Sequence, residues 1–111
     1  MLFRSYLDGR KTIAQVLLDS NTKLEHAILE TGVSGIDLVP STLDLARADV
    51  LLPQMVANET VLSSSVSKKI RGIYDYALID CPPNLGRLTI NALTAATDLL
   101  VPVQADRKSV V

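Results

Sequence analysis

The chain has 111 residues, of which 48% are hydrophobic and 21% charged, and its formal net charge is −1. Those values bound one small globular domain with a modest core and leave no overall basic footprint for nucleic acid or an anionic membrane. A single cysteine, Cys81, excludes an internal disulfide framework and suits a reducing cytoplasm. No apolar run approaches the roughly 18 residues of a bilayer span, and Met1-Leu2-Phe3-Arg4 has no signal-peptide pattern, so a soluble, cytoplasmic protein is expected.

Met1–Arg10 shows no clear period, and Asp8-Gly9 is a turn signal. Thr12 and Gln15 have capping-box spacing, while Ile13, Val16 and Leu17 recur at helical intervals, which predicts a short helix to about Asp19, closed by Asn21. Thr22 and Glu25 repeat that spacing, and Leu24, Ala27 and Ile28 supply the stripe of a second helix ending near Gly32. His26 falls off the stripe and is expected to be solvated, since no second ligand or nucleophile has the spacing to recruit it.

Ile36–Pro40 reads as a strand cut off by proline. Ser41 or Thr42 can cap a helix through Leu43, Leu45, Ala46 and Val50, ended or kinked at Pro53, with Asp44, Arg47 and Asp49 on its wet face. Asn58 can cap a further helix carrying Leu62, Val66 and Ile70, interrupted by the poor helix formers Ser63, Ser64 and Ser65. Lys68, Lys69 and Arg71 at its end suit the helix dipole and are too few to indicate phosphate binding.

Tyr76–Ile79 is a short apolar run of the kind buried on both faces in a parallel sheet. Asp80 follows abruptly, and Pro82 and Pro83 cannot extend a ladder, so the carboxylate belongs at the strand's carboxyl end, the edge where open α/β sheets bind ligands. Leu88–Thr97 predicts a helix with Leu88, Ala92, Leu93 and Ala96 on its apolar face, and Asn91 beside that face reads as a local hydrogen bond or cap. Leu99–Val103 is another apolar run, with Pro102 near its exit. The order helix, helix, strand, helix, helix, strand, helix, strand predicts an α/β fold with a parallel sheet and crossover helices.

Three roles are open to the Asp80 region on these residues. Asp80 can cap the turn or the next helix; it can ligate a hard metal, as a Walker-B aspartate holds Mg²⁺ directly or through water; or Cys81 can be reactive, although no histidine or cation nearby in sequence would lower its pKa.

Tyr74–Gly86, continued by Leu88-Thr89-Ile90-Asn91-Ala92-Leu93 and by Leu100-Val101-Pro102-Val103-Gln104, closely resembles the ParA/Soj family of deviant-Walker ATPases. The resemblance rests on the Asp-x-Pro-Pro-x-Leu-Gly switch II segment, the Thr-x-Asn-Ala-Leu helix and the Pro-Val-Gln strand, in order and at family spacing. Ile36–Ser41 and Leu45-Ala46 resemble that family's strand and following helix, so nearly the whole chain is covered. The MinD pattern, with Pro-Ala-Gly where this chain has Pro83-Asn84-Leu85-Gly86, fits less well. The resemblance implies an ATP-dependent switch for plasmid or chromosome partition that dimerises around nucleotide and is stimulated by a ParB-like partner. It places Asp80 at the Walker-B position, holding Mg²⁺ through water, and makes Asn84, Leu85 and Gly86 the nucleotide switch, with Gly86 lending that loop backbone freedom.

Departures from the family pattern set further expectations. Walker A, Lys-Gly-Gly-x-Gly-Lys-Thr, is absent, and the catalytic Asp-Pro-Gln segment would lie upstream of Met1. The adenine-binding and DNA-binding regions would follow Gln104. Residues 1–106 are therefore expected to be an internal fragment of a P-loop NTPase-type domain that lacks the P-loop strand and is inactive alone. Arg107–Val111 reads as a non-native tail resembling a translated sequencing adapter, with Asp106 fitting either side. Without the intervening strands, those at Ile36, Tyr76 and Leu99 would not be neighbours, and open edges, marginal stability and aggregation are expected. The alternative is a nucleotide-independent interaction module in which Asp80 is only a structural cap.

Overall fold

The computed structural model describes residues 9–105. Residues 1–8 and 106–111, the expected tail included, lie outside them.

Helix α1 spans Ile13–Leu18 and starts as the spacing predicts. Gln15 Oε1 accepts from the Thr12 N–H at 2.5 Å and from the Thr12 hydroxyl at 3.1 Å, the reciprocal half of a capping box. The Ile13 N–H donates to the Pro40 carbonyl at 2.9 Å, which ties α1 to the exit of the Ile36–Pro40 segment.

The second predicted helix is cut to a single 3-10 turn, Leu24–Ala27. Its starting pair is Lys23 and His26, not Thr22 and Glu25: the Lys23 N–H donates to His26 Nδ1 at 3.0 Å. His26 is exposed, as expected, but its ring also has this local duty. So short a helix is marginal without packing on several sides, and the chain instead extends into β1 (Leu29–Glu30). This strand pairs antiparallel with β2 (Asp37–Leu38), setting Leu29 opposite Leu38 and Glu30 opposite Asp37. The turn between them is held by the Thr31 hydroxyl, which accepts from the Val33 N–H at 3.1 Å and donates to the Ile36 carbonyl at 2.5 Å. Gly35 sits there at φ +80°, a left-handed backbone that glycine adopts without steric cost.

Helix α2 (Leu45–Leu51) runs into a 3-10 turn, Leu52–Gln54, that accommodates Pro53. Neither Ser41 nor Thr42 caps it through a side chain, and Leu43 lies before its first turn, fully in solvent. The predicted helix over 58–70 is two helices, α3 (Val61–Ser65) and α4 (Lys68–Ile73). The break falls at Val66-Ser67 because Ser67 is a better N-cap than a helix interior residue: its hydroxyl accepts from the Ile70 N–H at 3.2 Å. Lys68 and Lys69 therefore occupy the first turn of α4, the unfavourable end of its dipole, and only Arg71 lies in the last turn. Helix α5 (Arg87–Ala95) is the longest, and its buried residues are Thr89, Asn91 and Ala92, whereas Leu93 and Ala96 face solvent.

The core forms where α1, α2 and the Leu52 turn meet: Leu17, Ala48 and Leu52 are buried, with Ile13, Leu45, Met55, Val61, Leu62 and Leu88 packed around them. Ala48 supplies the close approach and Leu52 the volume, and burying a leucine in this way stabilises by about 1.5–3 kcal/mol. The two remaining apolar runs do not join it. Tyr76–Ile79 and Leu99–Val103 form no ladder with any described residue, and Leu78 and Leu100 are 93% and 85% exposed.

Candidate functional site

The Tyr74–Gly86 stretch has a fixed end at each side and an open middle. At its start, the Tyr74 N–H closes α4 on the Ile70 carbonyl at 3.4 Å, and the Tyr74 hydroxyl donates to Asp37 Oδ2 at 2.6 Å, reaching across to β2. From Asp75 to Asp80 every residue is exposed. Asp80 accepts no hydrogen bond from any described residue, and Cys81 directs its thiol at the Ile79 carbonyl, 3.6 Å away. Asp80 is thus not the cap that the structural alternative required. That duty is divided between two other side chains.

The first is Asn84, whose Oδ1 accepts from the Gly86 N–H at 2.9 Å while its own N–H donates to the Pro82 carbonyl at 2.8 Å. This is the local side-chain turn that asparagine favours. The second is Asp49 on α2, half-buried, whose Oδ1 accepts from the Leu88 N–H at 3.1 Å. Leu88 lies in the first turn of α5, where N–H groups have no partner within the helix, and Gly86 at the cap position has no side chain to offer. Asp49 was expected on the wet face of its helix; its contact spans 39 residues of sequence, beyond what local spacing reveals.

Gly86 lies close to the ends of two polar side chains. Its φ of −66° and ψ of 178° are open to any residue. What it lacks is room: a Cβ there would lie 2.9 Å from Asp49 Oδ1 and 3.0 Å from Asn84 Oδ1. Leu85, between the two, is 83% exposed and touches no core.

Past Gly86, α5 is pinned twice more. Asn91, 1% exposed, accepts from the Leu62 N–H at 3.1 Å and donates to the Asn58 carbonyl at 2.6 Å and the Arg87 carbonyl at 2.9 Å. Because Leu62 is in the first turn of α3, Asn91 caps that helix from outside, a long-range version of the hydrogen-bonding role the sequence allowed. Arg87 adds a 3.1 Å ion pair to Glu59, an exposed contact worth about 0–1 kcal/mol.

Magnesium takes six oxygen donors, commonly one or two carboxylates completed by phosphates and waters. An exposed Asp80 without a structural partner fits as one such donor. Among the described residues, however, no group of three or more His, Cys, Asp or Glu is close enough to hold a metal ion. None of the chain's described helices is long and apolar enough to cross a membrane.

The fold and this segment together place the chain in the α/β class of P-loop NTPases. Its coordinates superpose on the crystal structure of cobyrinic acid a,c-diamide synthase from Mycobacterium smegmatis, solved with a bound ATP analog and magnesium. The TM-score is 0.76 at 37% identity, covering 89% of this chain and 41% of that one. Its sequence is 36% identical over 99 residues to the sporulation initiation inhibitor protein Soj of Bacillus subtilis, and 35% identical over 98 residues to the chromosome partitioning protein ParA of Caulobacter vibrioides. Those matches take in 89% and 87% of this chain, which spans 38% and 36% of the two relatives. The family described as an AAA domain matches residues 5–110, and the chain belongs to it, among the ParA/Soj-type members.

Proposed function

We propose that this chain is the Walker-B and switch II portion of an ATP-dependent partitioning ATPase that moves plasmid or chromosomal DNA. Asp80 supplies one carboxylate to a Mg²⁺ site, through water, and residues outside this chain complete that site. Asn84, Leu85 and Gly86 are the segment that changes with nucleotide state. In the complete protein, ATP and Mg²⁺ are the ligands, and a homodimer and a ParB-like adaptor are the partners. Regions beyond this chain bind DNA non-specifically, on the nucleoid in the cytoplasm. The 111-residue chain alone is inactive, because it has no phosphate-cradling loop.

The observation that carries this reading is the state of Asp80. It stands at the end of an apolar run, exposed and with no structural duty, in a chain whose relatives include a chromosome partitioning protein.

Reading the DNA on both sides of the coding sequence tests the domain assignment. A Lys-Gly-Gly-x-Gly-Lys-Thr motif in frame upstream is expected, and a stop codon just before Met1 would overturn it. The site assignment is tested separately in the complete protein, where Asp80→Ala should abolish Mg²⁺-dependent ATP turnover; wild-type turnover in that variant refutes it.

A further inference from the structure

We propose that Asp49 is a positioning residue for the nucleotide switch: a single carboxylate oxygen holds the first turn of α5 and also occupies the space beside the Gly86 Cα, so that helix α2 registers any displacement of residues 84–86. The inference rests on the reading of Asn84, Leu85 and Gly86 as the switch.

The geometry gives the switch segment one loose end and one rigid end. Upstream, Asp75–Asp80 is exposed and pairs with no described strand. Downstream, the Gly86 N–H donates to Asn84 Oδ1, and Asp49 Oδ1 lies where a side chain at Gly86 would begin, 2.9 Å from the position of a Cβ. Asp49 itself is not free to follow. It sits one residue after Ala48 and three before Leu52, the two fully buried residues of the core, so α2 cannot shift without disturbing that packing. Leu88, whose N–H Asp49 accepts, packs on the same core.

A movement of the loop therefore has few outlets. If Gly86 approaches α2, it meets the Asp49 carboxylate. If it withdraws, the chain draws Leu88 with it and the 3.1 Å hydrogen bond to Asp49 breaks. Either way the first turn of α5 loses its external cap, and the change passes to α2 and the Leu52 core instead of dying out in the loop. Asn91 holds the body of α5 through Leu62 and Asn58, so the response falls on the first turn.

Amide exchange tests the contact and the coupling separately. In the complete protein, Asp49→Ala should raise exchange at the Leu88 amide about fivefold, the loss typical of an N-terminal cap. Asp49→Asn keeps an oxygen acceptor in the same place and should restore protection. Gly86→Ala, whose Cβ crowds both Asp49 Oδ1 and Asn84 Oδ1, should also raise Leu88 exchange, and by less in the Asp49→Ala background, where one of those oxygens is gone. Unchanged Leu88 exchange in Asp49→Ala overturns the contact.

The coupling is then read with ATP against ADP. The nucleotide-dependent difference in protection at Leu88 and along α2 should be lost in Asp49→Ala and kept in Asp49→Asn. A difference that persists in Asp49→Ala leaves Asp49 a structural cap only and overturns the proposal. A wild-type protein whose Gly86 amide does not respond to nucleotide overturns the switch reading, and the coupling with it, while the fivefold effect at Leu88 would still stand as a cap.

Discussion

The Leu52 core and the Tyr76–Ile79 and Leu99–Val103 runs are built from the same kinds of side chain and meet opposite fates. Leu52 is fully buried, whereas Leu78 and Leu100 are 93% and 85% exposed. Hydrophobicity does not separate them; the source of their backbone hydrogen bonds does. Helices α1, α2, α3 and α5 make their backbone hydrogen bonds within themselves or through caps such as Asp49 and Asn91, so each can present an apolar face to the adjacent helix. A strand must borrow its partners, and a run suited to burial on both faces needs a neighbour at each edge and a layer on each side.

The strongest test of that contrast sets Leu52→Ala against Leu78→Ser. Emptying the Leu52 site should cost about 2–5 kcal/mol, read as a shift in the urea midpoint of the helical far-UV signal. Leu78→Ser or Leu100→Ser should change that midpoint by no more than about 0.5 kcal/mol, the range of ordinary surface positions, and should lower light scattering by blunting an exposed strand edge. Equal costs at Leu52 and Leu78 would mean that the apolar runs pack in solution, and the contrast would collapse.

A smaller effect is expected where the helical region depends on a buried polar group. Asn91→Ala leaves the Leu62 N–H and the Asn58 carbonyl without their partner, and should cost about 1–3 kcal/mol in the same urea titration. Asn91→Asp discriminates further, because it keeps the acceptor for Leu62 but turns the donor facing the Asn58 carbonyl into a second acceptor. It should be no better than alanine. A neutral result for both variants would move the tie between α3 and α5 to the packing of Leu62 and Leu88.

Much of the helical region was legible because its signals are local. The Thr12 and Gln15 spacing located the start of α1, and the Leu88–Ala92 interval located the body of α5. Where local rules competed, the outcome was not legible. Thr22 and Glu25 matched a capping box as well as Thr12 and Gln15 did, yet His26 took the turn and the following residues paired as a strand. The helix expected over 58–70 ran through Ser67, which proved to be a cap. At the candidate site, the position of Asp80 after an apolar run could be read directly. Asp49 could not, because the need it meets, an uncapped first turn behind Gly86, becomes visible only once α2 and α5 are side by side.

Two carboxylates make the helical region sensitive to acid. Glu25 is held below its ordinary value of 4.5, chiefly because the Ser67 hydroxyl donates to it at 2.5 Å. Asp19 lies below 3.8, first through the Asn21 N–H and then through the Thr22 hydroxyl. A lowered folded-state pKa gives stability that is present above the unfolded value and lost as pH falls through the folded one. Stability should therefore decline on acidification below about pH 4.5. In Ser67→Ala the Glu25 midpoint, followed by its carboxyl carbon signal in NMR, should rise toward 4.5; a midpoint that stays put would assign the shift to another cause.

The hairpin provides the smallest and most local test, at the opposite end of the pH scale. Glu30 faces Asp37 across the two strands, a like-charged pair that disfavours the ladder. The Tyr74 hydroxyl donates to Asp37 at 2.6 Å and gives that carboxylate a partner, joining the hairpin to the entry of the candidate site. The same hydrogen bond raises the Tyr74 pKa above 10.0, with burial and the charges of Asp37 and Glu30 acting in the same direction. A raised folded-state pKa contributes stability that is complete below the unfolded value near 10 and is lost as pH rises through the folded one. Asp37→Asn removes the charge and weakens the acceptor, so the ring-carbon signal of Tyr74 should titrate closer to 10 than in the wild type. Glu30→Gln should move it in the same direction by less, because Glu30 is the last of the four causes. The reverse order would show that charge repulsion, not the hydrogen bond, controls how the hairpin is held against the start of the Tyr74–Gly86 stretch.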